Sequence, residues 1–459
     1  MNAWFPRITV HSLVVTLSVL IYVLTTRAEH ERRPPSIAIA WVLGLFALPY
    51  VVLPMYVLFG RRKLPRKVLR WSGIGAHCTH WAQDLIESFG LAPCAPCAVR
   101  MHPDGSASAA ALFATMSSAA QRLDICTYIL GDDAFGRETM QHMIAQARAG
   151  VQVRFLIDGF GALQLPRACL HDLNQAGIET AIFSPLLARK TQGPRNLRNH
   201  RKMVIADAAN LWAGGRNLAA EYFMGSDGAA PWRDLSFDLQ GKVAAAAAAQ
   251  FEADWIAAGG RPGRKTVANV ASGTAPDTAD FSGRAQFLPS GPDQAEDTVH
   301  ALLIDACFQS RERVLAVTPY FVPDVSLETA MRLAARRGVK IDLVIPAVSN
   351  HRLADFARSR SLRALSNAGV RVHLSPYMNH AKAVVFDGSV ALTGSVNLDS
   401  RSLLLNYECA VVFYSAGEID WLARWIEALI PESQPFNSRA PGLLRDIAEG
   451  LLLTVAYQL

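Results

Sequence analysis

Two short stretches of the chain carry the same chemically capable side chains at the same spacing. NHRKMVIADAANLWAGGRN runs from Asn199 to Asn217, and NHAKAVVFDGSVALTGSVN from Asn379 to Asn397. Both reduce to N-H-x-K-x4-D-x6-G-[GS]-x-N. At ordinary residue usage one such copy would arise by chance in roughly one chain in ten thousand. Two copies are therefore a duplication. Each copy offers an imidazole (His200, His380), an ammonium (Lys202, Lys382), a carboxylate (Asp207, Asp387) and an amide (Asn217, Asn397).

That set suits a phosphodiester. Two lysines and two amides can hold the non-bridging oxygens and the charge that develops on them. One imidazole can attack phosphorus while the other protonates the leaving alkoxide. Each copy supplies a single histidine, so the two copies must face one site. The lysines provide the cationic field, so neither a metal nor a cofactor is expected. The sequence also has no GxxxxGK[ST] loop and no Gly-rich nucleotide fingerprint. After each copy a carboxylate opens a β-rich run: Asp234 in WRDLSFDL and Glu408 in NYECAVVF. Bonded to the far ring nitrogen, such a carboxylate would fix the tautomer and stabilise the imidazolium. Asp234 and Glu408 are expected to orient the histidines, against the plainer reading of two solvated acids.

The elements that must position these groups follow from the flanking pattern. The β-branched runs in NHRKMVIAD and NHAKAVVFD predict strands, on which alternate side chains share a face. His200 and Lys202 would then point the same way, as would His380 and Lys382. Asp207 and Asp387, although members of the catalytic signature, are expected to tie a hairpin together rather than touch substrate. Gly214-Gly215 and Gly394-Ser395 would bend the chain back to present Asn217 and Asn397.

The surroundings repeat as well. AQARAG leads into VQVRFLID (151–158), and MRLAARRG into VKIDLVIP (339–346). Earlier, LDICTYIL (123–130) is matched by ERVLAVTPYF (312–321). Helices alternating with β-rich runs predict an α/β fold of two homologous halves, with mixed sheets facing one shared active site. The halves are placed at 106–260 and 284–459, joined by a Gly-, Ala-, Pro- and Thr-rich linker at 261–283. The second half ends in an apolar tail, PGLLRDIAEGLLLTVAYQL. It reads equally as an interfacial amphipathic helix or as a last helix packed on that half.

Residues 1–60 predict a two-span membrane hairpin. Ile8–Thr26 and Ser36–Gly60 contain no Asp, Glu, Lys or Arg, and each is near the length that crosses a hydrocarbon core. A cleaved signal peptide fits poorly, because no small-x-small cleavage pattern follows the first run. RRKLPRKVLR (61–70) has six basic residues and no acid. It opens a basic juxtamembrane linker, 61–105, and by the positive-inside rule puts the remaining chain in the cytoplasm. Such a run also attracts anionic headgroups. Cys94-x-x-Cys97 with His77, Cys78 and His80 lacks the second spaced pair of a zinc site.

Bulk composition agrees with this division. The 459 residues exceed one small domain, and 51% of them are apolar. Seven cysteines in so long a chain do not make a disulfide framework, which points to a reducing compartment. The net charge of +6 suits an anionic partner, either nucleic acid or an acidic lipid. The apolar hairpin decides for lipid, since a soluble polyanion needs no bilayer-anchored enzyme.

On these residues the chain resembles the phospholipase D superfamily, with its two HxKxxxxD signatures, and within it the bacterial cardiolipin synthases. NHAKAVVFDGSVALTGSVNLDSRSLLLNYE resembles their second motif, including Asn-Leu-Asp-x-Arg-Ser at Asn397–Ser402. NHRKMVIAD, GGRNLAAEY and the WRD at Trp232–Asp234 resemble their first. YILGDDAFG near Tyr128, TPYFVPD near Tyr320 and ERRPPSIAIAW fit too. The resemblance implies transfer of a phosphatidyl group between two phosphatidylglycerol molecules through a phosphohistidine, with release of glycerol. It implies His200 as nucleophile and His380 as general acid/base. It further implies a multi-pass protein of the bacterial inner membrane, whose partners are phosphatidylglycerol and the bilayer and not nucleic acid. A phospholipase D-type hydrolase, or a transphosphatidylase with another donor or acceptor, uses the same groups.

Overall fold

A computed structural model describes residues 5–29, 35–60, 80–185, 196–226, 228–263 and 282–455. The basic run 61–70, His77, Cys78 and most of the 261–283 linker lie outside the described residues.

The chain beyond residue 80 is organised on one mixed sheet of fifteen strands among the described residues. In the first half Arg122–Thr127, Gln152–Asp158 and Glu179–Phe183 run parallel. Their crossovers are helices such as Ala134–Arg148, whose Asp133 N-cap accepts from Gly136 N at 2.8 Å. The second half repeats this with Arg313–Val317, Lys340–Pro346 and Arg371–Ser375. Burial on both faces explains their continuous apolar runs. Beside each parallel set lies an antiparallel hairpin: Met203–Ala206 with Asn210–Gly214, and Ala383–Phe386 with Val390–Gly394. Each hairpin is followed, toward the centre of the sheet, by Ser236–Gly241 or Glu408–Phe413.

The halves join edge to edge. Ala95–His102 pairs antiparallel with Ser236–Gly241 of the first half and with Gly283–Ser290 of the second. The stretch 61–105 was expected to be a linker, and this corrects it: the end of that stretch supplies a central strand. It also supplies the helix Trp81–Ser88, whose Ala82 and Ile86 are buried. Its strand pattern is hidden by Pro96 and small residues (Ala95, Cys97, Ala98) that carry no β-branched signal. Two equivalent helices, Lys242–Ala257 and Ala416–Glu427, bury Ala247, Phe251, Leu422 and Ile426 in one core with strands of both halves. The alanine run in the first of these favours helix and allows close approach to the sheet.

At the N-terminus three helices follow: α1 (Phe5–Glu29), α2 (Pro35–Ala47) and α3 (Pro49–Phe59). Among the described residues no helix is long and apolar enough to cross a membrane. The second apolar run, expected as one element, is broken at Leu48, which has φ −136° and ψ 57°. Pro49 is the reason, because its ring disfavours the helical region for the residue before it. The bend is sharp enough to bring Val52 within 3.1 Å of where a Cβ on Gly44 would stand, so a larger residue there would have to push the Val52 side chain back by a few tenths of an ångström. Tyr22, Leu45 and Tyr56 form a small core that binds the three helices together.

The tail forms a helix, Leu443–Val455, that lies against Arg352–Asn367. Its Glu449 is buried and accepts from Arg363 at 2.5 Å and Arg445 at 2.9 Å. Leu443, Leu444 and Ile447 remain exposed.

Candidate active site

The two repeated stretches meet where the halves face each other. His200 and Lys202 precede the strand that starts at Met203, and His380 and Lys382 precede the one that starts at Ala383. The sequence pattern put these residues on the strands themselves. They lie ahead of them because this backbone pairs with the opposite half. His200 N donates to Tyr407 O at 2.8 Å, and Tyr407 N donates to Arg198 O at 2.9 Å. Symmetrically, His380 N donates to Arg233 O at 2.6 Å, and Arg233 N to Met378 O at 2.9 Å. Each histidine is therefore seated on chain belonging to the other half.

The carboxylates cross in the same way. Glu408 Oε1 lies 2.9 Å from His200 Nδ1, and Asp234 Oδ2 lies 2.7 Å from His380 Nδ1. Both acids are fully buried, which excludes the reading of two solvated carboxylates. Ser395 Oγ donates to Glu408 Oε2 at 2.5 Å. At the equivalent place in the first half Gly215 leaves room for Asp234, whose Oδ1 is 2.3 Å from the position of a Cβ. Lys202 Nζ donates to His200 O at 2.8 Å, while Lys382 donates to His380 O and sits 3.1 Å from the ring Nε2. Asn217 Nδ2 donates to Tyr222 Oη at 2.8 Å and Asn397 Nδ2 to Ser402 Oγ at 3.1 Å. Both amide oxygens are buried without a hydrogen bond.

Asp207 and Asp387 stand apart from this cluster. Each sits at a tight turn with positive φ, 53° and 50°. The Asp207 carboxylate accepts from the backbone N–H of Ala120, Gln121 and Arg122 at 2.7–2.9 Å. Asp387 does the same for Arg311, Glu312 and Arg313 at 2.9 Å. Their oxygens are thus committed to locking the hairpin turn onto the start of the neighbouring strand.

Comparison with known proteins identifies the arrangement. The family model described as "Cardiolipin synthase, PLD-like domain" matches residues 112–255 and 303–430. The chain belongs to this family. The model described as "Phospholipase_D-nuclease N-terminal" matches residues 14–61. Cardiolipin synthase A of Pseudomonas aeruginosa (strain LESB58) is 31% identical over 451 residues, covering 93% of this chain and 90% of that protein. Cardiolipin synthase A of Pseudomonas fluorescens is 30% identical, covering 86% of each chain. The phosphatidylserine synthase structure from Haemophilus influenzae has the same fold, with a TM-score of 0.61 at 12% identity. It covers 82% of this chain and 99% of that one. The chain thus has the phospholipase D-like α/β fold, in two repeated halves, of a membrane-associated bacterial enzyme.

The electrostatics of this phospholipase D-like site are set by burial of several titratable groups close together. Burial, with Lys382 next, holds His380 down to about 3. Burial also lowers His200, against the pull of Glu408. Burial lowers Lys382 to about 7 and Lys202 to about 8, and the like charge of Lys202 adds to the first. Burial alone would raise Asp234, but Lys382 and His380 outweigh it and hold the carboxyl at about 2. All these groups lie within reach of one another's fields, so an anion placed among them would be held by both halves.

Several surrounding residues have no site role in the sequence reading, although Tyr128, Trp232 and Tyr320 lie within the family-like motifs. Tyr128 meets the His200 ring edge-on at 4.8 Å, and Tyr222, Trp232 and Tyr320 surround His380 at 5.0, 5.6 and 6.4 Å. Tyr128 and Tyr320 lie one position apart in the repeated LDICTYIL and ERVLAVTPYF: Thr127 and Thr318 match, each donating to the carbonyl two residues on, so Tyr320 falls on Ile129 and the repeat marks these rings only loosely. Arg201 is fully buried. It donates to Asp254, to Asp293 at 3.0 Å, to Ser290 O at 3.1 Å and to Glu408 O at 2.9 Å. It therefore fixes the backbone of the residue that faces His200. Ala381 stands at its place in the second copy, so the repeat gives no signal for it.

Proposed function

We propose that the chain is a cardiolipin synthase, moving a phosphatidyl group from one phosphatidylglycerol to another through a phosphohistidine and releasing glycerol. The observation that carries this reading is the crossed pair of histidine–carboxylate contacts around two buried lysines. A carboxylate on each Nδ1 turns each Nε2 toward the substrate, and Lys382, 3.1 Å from the His380 Nε2, shifts onto the arriving phosphate. The phosphate of the donor sits between Lys202 and Lys382. A half-turn of the Asn217 and Asn397 amides lets each Nδ2 donate to it, with Tyr222 and Ser402 donating back to the amide oxygens. The arriving anion raises the depressed pKa of the nearby imidazoles, so one of them can carry a proton once substrate is bound.

In the first step Nε2 of His200 attacks phosphorus and the P–O bond to the headgroup glycerol breaks. His380 gives its proton to the departing oxygen. In the second step the headgroup hydroxyl of another phosphatidylglycerol attacks the phosphohistidine. The N–P bond breaks, and the hydroxyl proton passes to His380. One phosphodiester replaces another, so no energy donor is consumed. The residues in direct roles are His200, Lys202, His380, Lys382, Asn217 and Asn397, with Asp234 and Glu408 orienting the imidazoles and Asp207 and Asp387 shaping the hairpins that present them.

The same reading places residues 1–60 in the bacterial inner membrane as two antiparallel passes, the basic run 61–70 as the lead-in, and 106–260 and 284–459 as the catalytic halves in the cytoplasm, with Ala95–His102 as a strand of their shared sheet and 261–283 as their linker. Val10, Leu13, Leu17 and Leu20 of α1 and Ile39, Leu43 and Phe46 of α2 support lipid contact, being large, apolar and exposed. Hydrolysis to phosphatidic acid, or transfer to another acceptor, is the competing reaction.

Purified full-length protein in mixed micelles, with labelled phosphatidylglycerol as the sole lipid, tests the proposal. Cardiolipin and free glycerol in equal amounts are expected, and His200→Ala or His380→Ala should abolish both. Phosphatidic acid without cardiolipin would make the enzyme a hydrolase or a transferase using a different acceptor.

A further inference from the structure

The internal repeat exposes what the two halves do not share. Placing Asn199-His200 on Asn379-His380 sets Arg198 opposite Met378. Placing Asn217 on Asn397 sets Arg401 opposite Glu221. Both arginines therefore fall on the His200 flank, and neither has a counterpart on the His380 flank. There the neighbours are the rings of Tyr222, Trp232 and Tyr320. Arg233, the arginine beside His380, is already engaged: it pairs with Glu432 at 2.8 Å and lies over the Tyr377 ring at 4.0 Å.

Arg198 and Arg401 come from opposite halves but are brought together by the pairing that seats His200. Arg198 O accepts from Tyr407 N at 2.9 Å, and Arg401 O accepts from the preceding residue, Asn406 N, at 3.0 Å. The Arg401 guanidinium donates to Asn196 O at 2.9 Å, two residues ahead of Arg198. Arg198 is 6% exposed, with Nε 3.5 Å from Asp158 and Nη2 donating to Ser184 O. Its Nη1 is buried and makes no hydrogen bond. A buried guanidinium donor without a partner is costly, and its natural complement is an anion with oxygens in a plane. The charges of both arginines also act on Tyr128, the ring that meets His200.

We propose that Arg198 and Arg401 bind the phosphate of the acceptor phospholipid beside His200. The proposal rests on the transferase reading and deepens it. A hydrolase needs one phosphate site, supplied by the lysines and amides. Transfer between two phosphatidylglycerol molecules needs a second, because the acceptor carries its own phosphodiester three carbons from the attacking hydroxyl. Leaving that anion uncompensated in a buried site would oppose the reaction. With the acceptor phosphate on Arg198 and Arg401, its hydroxyl oxygen forms the new P–O bond as the His200 N–P bond breaks, and the proton goes to His380. A neutral alcohol makes the same attack without using the arginines.

The experiment compares two acceptors in one enzyme preparation. Full-length protein in mixed micelles is assayed for cardiolipin formation from phosphatidylglycerol. In parallel it is assayed for exchange of labelled free glycerol into phosphatidylglycerol. Both use the same donor and the same covalent step. Arg401→Gln and Arg198→Gln are expected to lower cardiolipin formation at least about tenfold, mainly through the dependence on acceptor concentration, while glycerol exchange stays within about twofold. Arg401→Lys, which keeps the charge, should recover part of the loss. Arg401 is partly exposed, so if Arg198→Gln melts early the Arg401 variants decide alone. An equal fall in both reactions would overturn the proposal by assigning the pair to the donor or to folding, and no fall in either would overturn it too. If wild type exchanges no glycerol and makes only phosphatidic acid, the transferase reading fails first and takes the acceptor site with it.

Discussion

Glu408 and His200 belong to different halves of the repeat, yet Glu408 Oε1 lies 2.9 Å from His200 Nδ1. Asp234 and His380 repeat the relationship at 2.7 Å across 146 residues of sequence. Because each imidazole meets a carboxylate of the opposite half, neither half forms its histidine–carboxylate pair alone. Glu408→Gln and Asp234→Asn keep the shape but remove the charge and permit the wrong tautomer. Each should lower kcat by roughly 10²- to 10⁴-fold with little change in KM. Steady-state kinetics with phosphatidylglycerol, alongside thermal melts showing an intact fold, measure this. A loss confined to KM would instead assign these acids to substrate binding.

The depressed lysines give a pH dependence with a definite sign. An ammonium is charged below its pKa, and Lys382 and Lys202 are held at about 7 and about 8 in the free enzyme. As pH rises through that window the site loses the cations that receive the phosphate. The value of kcat/KM, which reports the free enzyme, should therefore fall between pH 7 and 9, although the substrate phosphodiester does not titrate there. Bound phosphate favours the charged lysines, so the decline in kcat should move to higher pH. Profiles taken at fixed micelle composition check both, and a kcat/KM that climbs steadily to pH 9 would contradict the assignment.

Much of this site was legible because duplication marks residues twice. The histidines, lysines, amides and both buried carboxylates stood out by their recurrence. Which carboxylate serves which histidine did not, since the exchange between halves is a matter of topology that spacing along one chain cannot carry. The strand Ala95–His102, central to the sheet, was read as linker because Pro96 and its small neighbours give no β signal. The break at Leu48 was visible in principle as Pro49, but the unbroken apolar composition of the run outweighed it. Arg201 was invisible for a different reason. Only one copy of the repeat has it, and its partners lie on a helix and a loop remote in sequence.

Arg201 also yields a test of how the halves are held together. It is fully buried with Asp254, which Asn199 and Gln250 contact as well, at 3.1 and 2.9 Å. Arg201→Met removes the cation and leaves Asp254 without its charge partner in a dry interior. The expected cost is about 3–5 kcal/mol in chemical denaturation. Replacing both, as Arg201→Met with Asp254→Leu, should recover a large part of that stability while activity stays low, because Glu408 O has lost the Arg201 Nε donor. If the double variant is no more stable than the single one, the charge is not what the fold depends on.

Asp387 separates the structural part of the HxKxxxxD signature from the chemical part. Its carboxylate accepts three backbone N–H groups at the start of the Arg313–Val317 strand, away from the histidines. Asp387→Ala leaves those donors to solvent, or unpaired where the strand covers them. The loss should be about 1–3 kcal/mol of stability, with kcat reduced only as far as the hairpin loosens. Asp387→Asn keeps the shape and the acceptor oxygen, so it should lie between Ala and wild type. Melting temperature and kcat measured on the same samples distinguish the roles. A variant that melts like wild type but transfers no phosphatidyl group would move Asp387 into the chemistry and require a different explanation of the signature.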